Sequence, residues 1–156
     1  MLIYETKNFE VITHPKPHVS REEGGNIKIV SKKPITDRTK LESKVAIELM
    51  KLSMIVGEAY TKAMIKRGVE IVKINYQDMG NWAFKTGKEP VLHLHIYGRT
   101  KNAKHQIFPE AVQLPDRGTG FYDSFKPLDE GDVKIIKEEI EKLFKSDKYQ
   151  DKNWRL

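Results

Sequence analysis

The 156-residue chain has no cysteine, which excludes disulfides, thiolate metal sites and a cysteine nucleophile. No apolar run approaches the ~20 residues needed to cross a bilayer. The first residues, MLIYETKNFEV, carry acids where an export signal has a basic stretch and an apolar block. Cytoplasmic residence without membrane attachment is therefore expected. Internal repeats and low-complexity linkers are also missing, so a length of 156 residues implies one domain with a core of its own. Negative charge is the scarcer sign: 28 Lys and Arg face 22 Asp and Glu, a net +6. That excess favours polyanions in general, nucleotides and polyphosphates included. No helix-turn-helix, zinc-finger or RNP-like aromatic pattern accompanies it, so no specific nucleic-acid partner is expected.

What is present reads as strands around a long helix. MLIYETKNFEVIT, with Ile3, Phe9, Val11 and Ile12, predicts one or two short strands, and the Pro- and Gly-rich HPKPHVSREEGG (14–25) predicts a loop. NIKIVSKK then alternates as a half-buried strand does. Thr39 with Glu42 matches a capping box, Asp37 is a second cap candidate, and Leu41, Val45, Leu49, Leu52, Val56, Ala59 and Ala63 line one helical face as far as Arg67-Gly68. Two further strands are predicted at VEIVKINY (69–76) and VLHLHIYG (91–98), with a loop between them. A second helix follows PLDEGD, its acids first and its lysines later, in keeping with the helix dipole. This order favours an α+β domain, an antiparallel sheet with helices on one face. The domain is expected to span residues 1–146, with 147–156 a charged tail that Trp154 alone has the means to anchor.

The stretch EPVLHLHIYGR (89–99) is unusual. Side chains two apart on a strand share a face, so His93, His95 and Tyr97 point one way and Leu94 and Ile96 the other. Burying an imidazole costs free energy unless its nitrogens find partners, so two in a plain core need a reason. One is a pair of satisfied, solvated histidines. A second is a metal site, with His105 or His14 as a third ligand, although carboxylates are scarce nearby, Glu89 and Glu110 being the nearest. A third is a histidine nucleophile, which needs a neighbour to accept its other N–H and donors for phosphate oxygens.

His93-Leu94-His95-Ile96-Tyr97-Gly98-Arg99 resembles the signature strand of the histidine triad superfamily of nucleotide hydrolases and transferases, His-φ-His-φ-His-φ-φ. The likeness extends over roughly residues 9 to 100: a strand pair (9–37), a long helix, an asparagine-bearing strand VKINYQDMGN (72–81) and then the histidine strand. By that resemblance the fold is a HIT-like antiparallel sheet with one long and one C-terminal helix, the assembly a homodimer, and the triad holds no metal and needs no cofactor. His95 matches the nucleophile that attacks the α-phosphate, and His93 the residue that orients the site. Asn75 matches the nucleotide-binding asparagine, and Asn81 lies near the polar residue before the triad. Tyr97 stands where the third histidine donates to a phosphate oxygen, and Asn26 stands where the histidine of a "GH" pair would lie. Tyr97 can still donate. Arg99 supplies a cation with bidentate reach if it shares Tyr97's face, and Gln106 follows with Lys101, Lys104 and His105 in a basic loop.

The resemblance implies a hydrolase or nucleotidyl transferase working on a dinucleoside polyphosphate or phosphoramidate through a nucleotidyl-histidine. A nucleotide-binding module without catalysis and a histidine-ligated metal-dependent hydrolase are the alternatives. Trp82 and Phe84 have two readings, stacking on a base or, as aromatics in such a loop more often do, plugging the edge of the core; His14 and His18, beside prolines at a turn, are expected to be exposed.

Overall fold

Five strands form one antiparallel sheet in the order β1-β2-β3-β5-β4 in the computed structural model, which describes residues 1–156. They are β1 (Leu2–Glu5), β2 (Phe9–Thr13), β3 (Asn26–Ser31), β4 (Lys73–Asp78) and β5 (His93–Arg99). Period-two alternation sends Phe9, Val11, Ile27, Ile29, Leu94 and Ile96 to one face, where they join the hydrophobic core. Two helices cover that face, α1 (Ser43–Lys66) and α2 (Glu130–Phe144), contributing Leu52, Ile55, Val56, Ile136 and Ile140. β5 lies between β3 and β4, so its other face looks away from both helices and is left for the site.

The start of α1 differs from the expected capping box. Asp37 instead accepts the Thr39 N–H at 2.8 Å in a short 3-10 turn, and Glu42 precedes the helix without a side-chain cap bond. At the other end Gly68 turns left-handed at φ 80°, as the Arg67-Gly68 pair implied. The strand predicted from Val69 begins only at Lys73, because Val69 and Ile71 are spent on the core before the chain reaches the sheet edge. α2 starts inside the acidic run: Asp129 and Asp132 cap each other reciprocally at 2.8 and 3.0 Å.

The last ten residues are tied to the helices. Two 3-10 turns lay them on the helices, Tyr149 enters the core, and Trp154 stacks on it at 6.2 Å. Asp151 meets the buried Lys51 ammonium at 2.5 Å. Trp154 does anchor the segment, with Tyr149 as the deeper residue.

Candidate active site

Cross-strand register sets the floor of the site. Directly paired residues of an antiparallel sheet project to the same face, which yields two parallel rows. One is Lys28–His95–Gln77 and the next is Asn26–Tyr97–Asn75. His93 stands one step further along β5, its ring 4.9 Å from that of His95, and the Tyr97 ring stacks on the other side of His95 at 5.4 Å. The two histidines therefore share one face, as the alternation required.

The 14–25 loop folds over this floor and brings two more imidazoles. His14 and His18 lie with ring centroids 6.2 and 5.3 Å from His95. Neither is exposed, contrary to the sequence expectation: His18 is buried and His14 half-buried. Long-range bonds hold the loop down. Arg21 makes a bidentate pair with Asp132 at 2.6 and 2.7 Å, and the Tyr60 hydroxyl donates to the Gly24 carbonyl at 2.6 Å. Buried Glu23 accepts the backbone N–H groups of Lys104, His105 and Gln106.

The result is an open cavity of about 480 Å³ lined by His14, His18, His93 and His95, by the cations Lys28 and Arg117, and by residues 79–83 of the β4–β5 connection, with no carboxylate among the lining side chains. Its size is that of a small-molecule site. Trp82 does not plug the core edge: it lines the cavity, with the Arg117 guanidinium 5.9 Å from its ring. Phe84 points into solvent at 71% exposure. Asn81 lines the cavity.

Burial keeps His14, His18 and His95 neutral at physiological pH. It pulls His95 down to about 2, helped by His93 and His18. It pulls His14 to about 3 with Lys28 adding to it, and His18 to about 4 with Arg117 adding to it. Burial also lowers Lys28 and pushes the Tyr97 phenol well up. Tautomers follow from the partners. His14 Nδ1 accepts the Lys16 N–H at 3.2 Å, which puts its proton on Nε2, whereas His93 Nδ1 sits 2.7 Å from the Val91 carbonyl and must donate, which leaves Nε2 with the lone pair. The acceptor that a histidine nucleophile requires is thus present for the His93 ring, in the Val91 carbonyl, and is absent for His95. His95 Nδ1 is buried without a partner, which leaves Nε2 as the ring nitrogen presented to the cavity, and Gln77 Oε1, on the residue paired with it, is likewise without a donor.

Three sequence-predicted ligand contacts are occupied within the protein. Arg99 does share Tyr97's face, but it is buried and donates to Asn75 Oδ1 at 2.9 Å and to the Gln106 and Ile107 carbonyls at 3.1 and 2.9 Å. Gln106, fully buried, bonds the His18 and Gln113 carbonyls and the Gln113 N–H. Asn75, Arg99 and Gln106 therefore brace the site from behind and do not line it. His105, one of the two third ligands that a metal site would have drawn on, turns to Glu23 at 2.8 Å, and no group of three or more His, Cys, Asp or Glu is arranged to hold a metal ion. Gln77, Lys28, Arg117 and His18 were missed; for Lys28 the signal was a lysine on the strand that follows the loop, facing the same way as Asn26.

The sequence matches no protein-family model and no curated protein. Solved structures do match its fold. A histidine triad protein from Bradyrhizobium japonicum superimposes with a TM-score of 0.62 at 17% identity, over 90% of each chain. One from Marinobacter aquaeolei VT8 also reaches 0.62 at 17% identity, over 92% of this chain and 87% of its own. A hypothetical histidine triad nucleotide-binding protein from Sulfolobus tokodaii gives 0.57 at 18% identity, over 92% and 85%. The chain has the histidine triad fold. Within that fold, β5 carries His93, His95 and Tyr97 on one face, and His14 and His18 of the 14–25 loop face it across the cavity.

Proposed function

We propose that the cavity binds a nucleoside phosphate and that the protein is a nucleotide hydrolase or nucleotidyl transferase of the histidine triad kind. One observation carries this: four imidazoles, those of His14, His18 and His95 neutral, and the cations Lys28 and Arg117 line a cavity that has no carboxylate, a setting for a phosphate and against a free cation. His95 Nε2 attacks the α-phosphorus. The new N–P bond forms as the bond to the leaving group breaks, the electron pair departs with that group, and water then cleaves the nucleotidyl-imidazole to release a nucleoside monophosphate. Lys28 and Arg117 offset the phosphate charge, and Trp82 and Asn81 are placed to meet the nucleoside. Little covalent work falls to the protein in such a transfer, so positioning and charge stabilisation supply most of the rate.

The test is His95→Ala with an adenosine phosphoramidate and a dinucleoside polyphosphate as substrates. Turnover should fall by about 10³-fold or more with the fold intact, and quenched wild-type protein should carry the nucleotidyl group on His95. Undiminished turnover removes His95 from the mechanism; an adduct on His93 moves the attack to that ring. A binding module without catalysis is the second reading, favoured by the partnerless His95 Nδ1. It requires nucleotide titration to saturate with no product formed.

A further inference from the structure

Two positions of this chain depart from the histidine triad signature, Asn26 and Tyr97, and they are paired directly across β3 and β5. Both side chains close on the same residue. Asn26 Oδ1 accepts the His18 backbone N–H at 2.8 Å, and the Tyr97 hydroxyl lies 3.1 Å from His18 Nδ1. Gln106 Nε2 donates to the His18 carbonyl at 2.7 Å. The ring is further packed by Trp82 at 5.7 Å and Tyr122 at 5.6 Å. A loop histidine next to a proline has no local reason to be held at its N–H, its carbonyl and its ring together.

The contact with Tyr97 also sets the proton. Tyr97 is fully buried and its hydroxyl has no partner other than His18. A buried O–H left without an acceptor is costly, so it donates to Nδ1 and the His18 proton resides on Nε2. Nε2 has no protein partner, and the ring lines the cavity beside His95. The burial that keeps His18 neutral supports the same arrangement.

We propose that His18 replaces the imidazole missing from position 97, held by Asn26 and Tyr97 so that its Nε2–H donates to a phosphate oxygen of the bound nucleotide. This rests on the nucleoside-phosphate reading above and assigns the donor within it. Tyr97 is then a positioning residue that acts through His18 and does not touch the ligand.

The probe is AMP, the product common to the proposed adenosine substrates, titrated by calorimetry and by nitrogen NMR of the histidine rings. Free wild-type protein should show His18 with Nε2 protonated and Nδ1 bare, and AMP should shift the Nε2 signal. His18→Leu should weaken AMP binding by roughly 10- to 100-fold. Because that variant strands the buried Tyr97 hydroxyl, the double variant His18→Leu/Tyr97→Phe, which removes both ends of the bond, is measured beside it and should show the same loss. Tyr97→Phe alone should mix the His18 tautomers and weaken AMP by a smaller factor. An Nε2 signal unmoved by AMP, or a double variant within twofold of wild type, overturns the assignment of His18 while leaving the nucleotide site standing. Wild-type protein that fails to bind AMP overturns both.

Discussion

At the residue scale, the unusual feature is the number of neutral imidazoles kept out of water. His14, His18 and His95 are held at about 3, 4 and 2, against an ordinary value near 6.5. Folding therefore favours their deprotonated forms. In the unfolded chain they protonate as pH falls through about 6.5, while in the folded protein they stay bare until far lower. Their contribution is fully present above that value and is lost progressively as pH drops toward the folded values. Unfolding near pH 5 should take up close to three more protons than at pH 8, seen as a urea midpoint that falls steadily between pH 7 and 5; a flat midpoint across that window would contradict the burial of these rings. His93 and His95 were legible in the sequence because alternation alone puts both on one face. His18 was not, since nothing near it in the chain announces the bonds with Asn26, Tyr97 and Gln106 that draw it in. Arg99 and Gln106 misled in the opposite sense: polar residues beside a motif read as ligand contacts, and here their groups are consumed by the protein.

At the scale of elements, the site depends on how closely the 14–25 loop meets β5. Gly98 and Gly24 touch backbone to backbone, and Gly98 donates its N–H to the Gly25 carbonyl at 3.0 Å. A Cβ at position 98 would drive into Gly24 and lie 2.6 Å from Ile71 Cδ1. Gly24 itself sits at φ 119°, a conformation that side-chain-bearing residues avoid. Gly98→Ala should lower stability by about 1–3 kcal/mol through overpacking, and because the loop it displaces carries His18, nucleotide affinity should fall with it. Chemical denaturation and calorimetry on the same variant check the two together; a stable variant with unchanged affinity would show that the loop does not need this approach. The strands and helices themselves were largely readable from their periodicity. Their ends were less so: the expected capping box at Thr39 gave way to an Asp37 turn, and the β4 strand started late because Val69 and Ile71 are claimed by the core.

At the scale of the whole molecule, the sheet separates two tasks. One face is buried under α1, α2 and the final turns, and the other carries the cavity. No helix is long and apolar enough to cross a membrane. Tyr149 belongs to the first face: it is buried in the core, and its hydroxyl donates to Glu58 Oε2 at 3.1 Å. Tyr149→Ala should therefore cost about 3–5 kcal/mol of stability while AMP affinity, measured where the variant remains folded, stays at the wild-type value. An affinity loss without a stability loss would mean that the two faces are not independent.

By itself the sequence determined the α+β order, the apolar stripe of the long helix and the common face of His93 and His95, because these depend on periods of two and of three to four residues along the chain. Only the tertiary structure decided that Arg99 and Gln106 brace the site, that Tyr149 of the final turns joins the core, and that His14 and His18 face β5. Those outcomes turn on which distant groups satisfy buried polar atoms, and such pairing across 79 residues, as between His18 and Tyr97, leaves no periodic trace in the chain.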